Sequence, residues 1–189
     1  MPRVEVVKNF ATVPECAELN NWVKKGIQEK WLGFGISRGD HYYAGRLTSR
    51  MYGDRSSNPS VALAIQQRVC EYFGLSQHKT ATLSGGNDGV VVSTTFAGGD
   101  VYEHRDPREQ APLSTLRCNL LTSAATNGCE LYVVGNKVDF GEGDLVCYLV
   151  TDWPHRVTEN LGEKPRNLWM FGWYVPFDDW ESGRIGVQH

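Results

Sequence analysis

After Gly85-Gly86 the hydrophobic period of this 189-residue chain changes from helical to strand-like and stays so almost to its end. Runs rich in Val, Thr and aromatic residues occupy 90–96, 101–106, 116–123, 130–134, 144–150, 155–158 and 167–175. Turn-formers separate them: Ala97-Gly98-Gly99-Asp100, Asn127-Gly128, Gly135-Asn136 and Gly141-Glu142-Gly143. Many short strands at close intervals cannot cover their own apolar faces, so such a chain closes into a β-sandwich or barrel.

The part before the switch reads differently. Residues 4–7 suit a short opening strand. Thr12 and Glu15 then have capping-box spacing, with Pro14 in the first turn. Val13, Ala17, Leu19, Trp22, Val23 and Ile27 recur near helical spacing, which predicts a helix reaching about residue 30. A second helix follows, with Asn58 as cap, Pro59 at its first position, Val61, Ile65, Val69 and Tyr72 on one face, and Gly74 as stop. Between them, residues 32–57 mix glycines, arginines and Tyr42, Tyr43 and Tyr52 without a period. That stretch reads either as a surface loop approaching a ligand or as a packed irregular connection.

Nineteen Lys and Arg against 22 Asp and Glu give a net charge of -3, so the basic excess of a duplex-binding face is missing. With 22% charged and 41% hydrophobic residues the chain is not globally disordered. No apolar run approaches the roughly 18 residues of a membrane helix, and the N-terminus lacks the layout of a secretory signal. The five cysteines, Cys16, Cys70, Cys118, Cys129 and Cys147, form no CxxC pair and read as free core thiols in a reducing compartment. The expectation is one cytoplasmic domain.

The segment Val101-Tyr102-Glu103-His104-Arg105-Asp106 carries most chemical information. If it is all strand, Tyr102, His104 and Asp106 share a face. An imidazole and a carboxylate side by side are either two ligands of a divalent metal or a hydrogen-bonded surface pair. His155 lies in another strand-like segment and can supply a third ligand; alone it reads as a satisfied core histidine. Two His and one carboxylate form the facial triad of non-haem Fe(II) oxygenases. Arg166 opens the last apolar strand, where alternation sets Trp169, Phe171, Trp173 and Val175 against Leu168, Met170, Gly172 and Tyr174. If the aromatic face packs on the helices, Arg166 faces the barrel interior. There it needs an anionic partner, which a dicarboxylate provides; an Arg reaching solvent from a strand end is the other reading.

The series His104-Arg105-Asp106, His155, Arg166 resembles the Fe(II)- and 2-oxoglutarate-dependent oxygenases, in particular their prolyl 4-hydroxylase-like branch. Phe96-Ala97-Gly98-Gly99-Asp100, Arg117-Cys118-Asn119-Leu120-Leu121, Asn127-Gly128-Cys129-Glu130-Leu131 and Gly141-Glu142-Gly143-Asp144-Leu145 fit the same order, so the likeness spans about 90–175. It implies a mainly β fold with flanking N-terminal helices, a double-stranded β-helix (jelly-roll, cupin-like). One domain over 1–189 would have 1–85 as helical support and substrate loop, and 86–178 as β-helix core. His104, Asp106 and His155 would hold Fe(II), and Arg166 the distal carboxylate of 2-oxoglutarate. O2 would oxidise that co-substrate to succinate and CO2 while a substrate C–H bond is attacked, with ascorbate as a candidate reductant. Tyr102 and Asn119 are further candidates for co-substrate contact, each with a packing alternative. The tyrosine that the family often places in the strand of Asn119 is missing from Leu121-Thr122-Ser123.

The expected substrate is a small molecule, amino acid or prolyl-type residue. Segments 32–57 and 107–112 would select it, with Tyr43, Arg46, Arg50 and Trp153 as candidate contacts. A nucleic-acid demethylase of the same superfamily is an alternative, weakened because Gly172 stands six residues after Arg166, where those enzymes usually carry a second arginine. A cupin-like metal-binding protein that is not an oxygenase is the other. Because Asp106 would line an open cavity, its replacement by alanine is expected to leave the fold intact.

Overall fold

The computed structural model describes residues 1–29, 32–35, 46–51, 58–81 and 89–186. Three helices and eleven strands occur among them: β1 Glu5–Val7, α1 Val13–Gln28, β2 Leu32–Gly35, β3 Arg46–Met51, α2 Ser60–Phe73, β4 Val90–Thr95, β5 Val101–His104, β6 Ser114–Ser123, β7 Leu131–Val133, β8 Asn136–Val138, β9 Leu145–Leu149, β10 His155–Val157, β11 Arg166–Val175 and α3 Phe177–Glu181.

The capping box closes α1 as the sequence predicts: Thr12 Oγ1 accepts from the Glu15 N–H, and Glu15 Oε2 accepts from the Thr12 N–H at 2.8 Å. Pro59 is the cap of α2, one residue later than expected, and Gly74 ends that helix at φ 66°. A left-handed C-terminal residue of this kind strongly favours glycine.

Two antiparallel sheets pair in the orders β1-β9-β6-β11-β4-β3-β2 and β5-β10-β7-β8. From β4 onward the chain passes from one sheet to the other and back, with β7 and β8 as a hairpin in the smaller sheet. The result is a double-stranded β-helix, mainly β with flanking helices. Three strands, β1, β2 and β3, come from the first 85 residues and join the larger sheet. Residues 32–57, read as aperiodic, therefore contribute an antiparallel β2–β3 pair at the sheet edge. Two glycines in Leu32–Gly35 lower the strand propensity of that segment although Leu32 and Phe34 alternate with them.

The larger sheet has two different faces. Trp169, Phe171, Trp173 and Val175 of β11 join Leu19 and Val23 of α1 and Ile65, Val69 and Phe73 of α2 in one core. Burying each such side chain stabilises the fold by about 1.5–3 kcal/mol. Leu168, Met170 and Tyr174 point the other way, into the barrel with Val91 and Leu121. Val146, Tyr148 and Val150 face Val101, Leu131, Val133 and Val157 of the smaller sheet. All five cysteines are free thiols, four of them buried. No helix among the described residues is long and apolar enough to cross a membrane.

Candidate metal centre

His104 ends β5 and His155 begins β10, and the antiparallel register sets them directly opposite each other. Their ring centroids are 4.4 Å apart. His104 Nδ1–H donates to the Tyr102 carbonyl at 2.8 Å, and His155 Nδ1–H to the Trp153 carbonyl at 3.2 Å. A carbonyl can only accept, so these bonds leave each Nε2 as the inward-facing nitrogen. Tyr148 of β9 meets the His155 ring edge-on at 5.4 Å.

Asp106 arrives by another route. β5 stops at His104, two residues short of the expected strand, and the Asp106 N–H donates to the Val150 carbonyl at the end of β9. The carboxylate is thus tethered to the larger sheet. Its Oδ1 lies 3.3 Å from His104 Nε2 and 3.7 Å from His155 Nε2. Its Oδ2 accepts from Arg117 Nη2 of β6 at 2.6 Å.

One ligand atom from each of His104, Asp106 and His155 lies within 4.8 Å of the others. Cis ligands of an octahedral ion bound at about 2.1 Å stand about 3 Å apart. The donor set, two imidazoles and one carboxylate, fits a divalent metal ion, which these three residues would hold.

The charges are set for the same task. Burial pushes the Asp106 carboxyl up, but the Arg117 guanidinium, the His104 hydrogen bond and both imidazoles outweigh it and hold it well below the usual carboxylate range. Burial, reinforced by His104 and Arg117, lowers His155 to about 4 against the pull of Asp106 and the Trp153 carbonyl. At neutral pH Asp106 is a carboxylate and His155 a neutral imidazole, the forms that bind metal.

The remaining candidates divide. Arg166 is buried at the start of β11 and lines a cavity of about 150 Å³ with Leu121, Cys129, Leu131, Val138 and Phe140; none of the three converging side chains lines that cavity. Asn119 is buried on β6 between Val146 and Met170, and its Oδ1 has no hydrogen-bond partner among the described residues. Tyr102 does not keep the company that alternation assigns it. A register shift between β5 and β10 separates it from His104, and it is 52% exposed while Val101 takes the buried position. The Trp153 indole N–H donates to Glu181 at 2.9 Å, and its ring packs on Phe177, so its side chain is engaged with α3. Arg46 and Arg50 lie on β3, opposite Thr95 and Gly33 in register. Tyr43 lies outside the described residues. Two side chains near the centre had no assigned role, Arg117 and Tyr148. The signal for Arg117 was its parity with Asn119 and Leu121 in an otherwise apolar strand.

No protein-family model matches this chain, and no curated protein matches it in sequence. Solved structures do match. A prolyl-4-hydroxylase from Pseudomonas putida has a TM-score of 0.64 at 14% identity, over 93% of this chain and 94% of its own. The viral collagen prolyl hydroxylase of Paramecium bursaria Chlorella virus-1, solved as a 2-oxoglutarate complex, gives 0.62 at 16% identity, over 92% and 96%. HygX from Streptomyces hygroscopicus, solved with nickel and 2-oxoglutarate bound, gives 0.61 at 11% identity, over 93% and 84%. The chain therefore has the fold of the Fe(II)/2-oxoglutarate oxygenases, in its prolyl hydroxylase-like form.

Proposed function

We propose that this chain is an Fe(II)- and 2-oxoglutarate-dependent dioxygenase that hydroxylates an unactivated C–H bond of a small molecule, amino acid or prolyl-type residue. One observation carries the reading: His104, Asp106 and His155 converge from two strands and a loop in a fold whose solved relatives include proteins holding 2-oxoglutarate and a divalent metal. Iron held by these three would supply activation of O2 coupled to oxidation of 2-oxoglutarate to succinate and CO2.

The chain's residues have separable tasks in this reading. The outward Nδ1 bonds to the Tyr102 and Trp153 carbonyls aim both Nε2 atoms inward, and Arg117 keeps Asp106 ionised. Arg166, buried at the start of β11, pairs with the distal carboxylate of the co-substrate. Asn119 offers a buried acceptor to a donor on a bound molecule. The prolyl hydroxylases among the solved relatives, and HygX solved with hygromycin B, support a prolyl or small polar substrate.

The test is an anaerobic titration with Fe(II) and then 2-oxoglutarate, read at the visible charge-transfer band. A saturable band is expected, lost in His104→Ala and requiring more 2-oxoglutarate in Arg166→Ala with Fe(II) affinity unchanged. Bound iron without a band leaves a cupin-like metal protein. Absence of iron binding returns the three residues to structural roles. A screen of amino acids and prolyl peptides for succinate release then addresses the substrate.

A further inference from the structure

Arg117 is the one guanidinium that touches the converging residues, among those described, and the manner of contact is specific. The Asp106 carboxylate is divided: Oδ1 faces both imidazoles and Oδ2 faces Arg117. The arginine projects from the middle of β6, between Tyr148 of β9 and Gly172 of β11 in register. Glycine puts no side chain on that flank. The Arg117 side chain is 12% exposed, and its Nε is buried without a hydrogen-bond partner among the described residues. Leaving a buried N–H unpaired costs about 1–3 kcal/mol, so this placement is not the cheapest one for a structural ion pair.

Asp106 is tied to the larger sheet twice, by its N–H to Val150 and by its side chain to Arg117. β6 and β9 are adjacent, with Arg117 opposite Tyr148 and Leu116 opposite Leu149, so both ties come from one rigid patch. The two histidines belong to the smaller sheet. The third candidate ligand is thus set by the other sheet, and Arg117 decides which of its oxygens is offered.

We propose that Arg117 is the positioning residue of this centre: by occupying Oδ2 it makes Asp106 a one-oxygen ligand and keeps a coordination position open. The proposal rests on the metal-site reading above. A carboxylate with both oxygens available can close over a metal in bidentate fashion and take a further position. One whose outer oxygen is held by a charge-assisted hydrogen bond presents the inner oxygen alone. With two imidazoles, a one-oxygen Asp106 would supply three donors to an octahedral ion and would leave room for a chelating 2-oxo acid and O2.

The probe is Co(II), whose visible d–d bands report coordination number, added to the full chain and to R117M and R117K, with affinity read by calorimetry. Partners that orient a metal ligand contribute about 10–100-fold in affinity. R117M is expected to bind Co(II) that much more weakly and with altered band intensities. R117K, which keeps a cation beside Asp106 and so protects the fold, is expected to fall between R117M and wild type. Wild-type affinity and spectrum in both variants would overturn the proposal while leaving the metal site standing. Failure of the wild type itself to bind Co(II) would overturn both.

Discussion

Asp106 is the counter-ion of a buried arginine, and replacing it with alanine in the metal-free protein exposes that dependence. The guanidinium and carboxylate touch at 2.6 Å, with side chains 12% and 23% exposed. Charges about 4 Å apart at an effective dielectric of about 20 attract by about 4 kcal/mol. Deleting one partner of a buried pair costs about 3–5 kcal/mol, because the other charge stays buried and uncompensated. Some solvent reaches Asp106, so the expected loss lies near the lower end, about 3 kcal/mol. For a chain of 189 residues that lowers Tm by about 6–12 °C. An open-cavity ligand would be lost without cost, the expectation from sequence alone. The assay is thermal unfolding by circular dichroism in EDTA on wild type, D106A, R117M and D106A/R117M. The double variant removes both charges, so its loss should fall short of the sum of the singles by at least about 2 kcal/mol. A Tm for D106A within about 2 °C of wild type, or additive losses around the cycle, would refute the argument.

The metal-free protein should lose stability in mild acid. The unfolded chain protonates His155 near its ordinary 6.5 while the fold holds it at about 4, so between these values the unfolded state binds more protons and stability falls as pH drops. The loss is on the order of 3 kcal/mol across that window, with a further decline below about pH 4 as the Asp106 carboxylate is protonated on unfolding. Urea midpoints at pH 7, 5.5 and 4.5 should show it, and His155→Gln should flatten the first part of the profile. Gly128→Ala should cost about 2–5 kcal/mol. Gly128 sits at φ +78°, and a Cβ there would lie 1.9 Å from the Glu159 carbonyl oxygen; an unchanged urea midpoint would contradict this. Trp169→Ala, which removes a fully buried side chain of β11 packed on the partly buried Trp22 of α1, should cost about 3–5 kcal/mol by the same measurement.

The local features of this protein were legible without coordinates because they depend on spacing alone. The Thr12–Glu15 box, the apolar face of α2 and the two faces of β11 follow from periods of 3.6 and 2, and the structure realises each of them. On α1 it buries Leu19 and Val23 as expected, but leaves Val13 and Ala17 exposed and turns Cys16 and Gly26 inward instead. The residues themselves left His104 and Asp106 readable as a surface pair and His155 as a core histidine; the resemblance to the oxygenases implied a shared centre, and the three side chains do converge. The short α3, five residues long, was too brief for any period to register. What the tertiary structure alone decided concerns register. A shift between β5 and β10 turns Tyr102 away and seats Val101 inside, which no alternation can foresee. Asp106 shares the centre with His104 not by strand parity but because the Val150 carbonyl and Arg117 hold it from the other sheet. The Arg117–Asp106 pair spans eleven residues of sequence and exists only through the crossing from one sheet to the other. A sequence records which side each residue faces along its own strand; which residue it meets across the barrel is settled when the sheets pack.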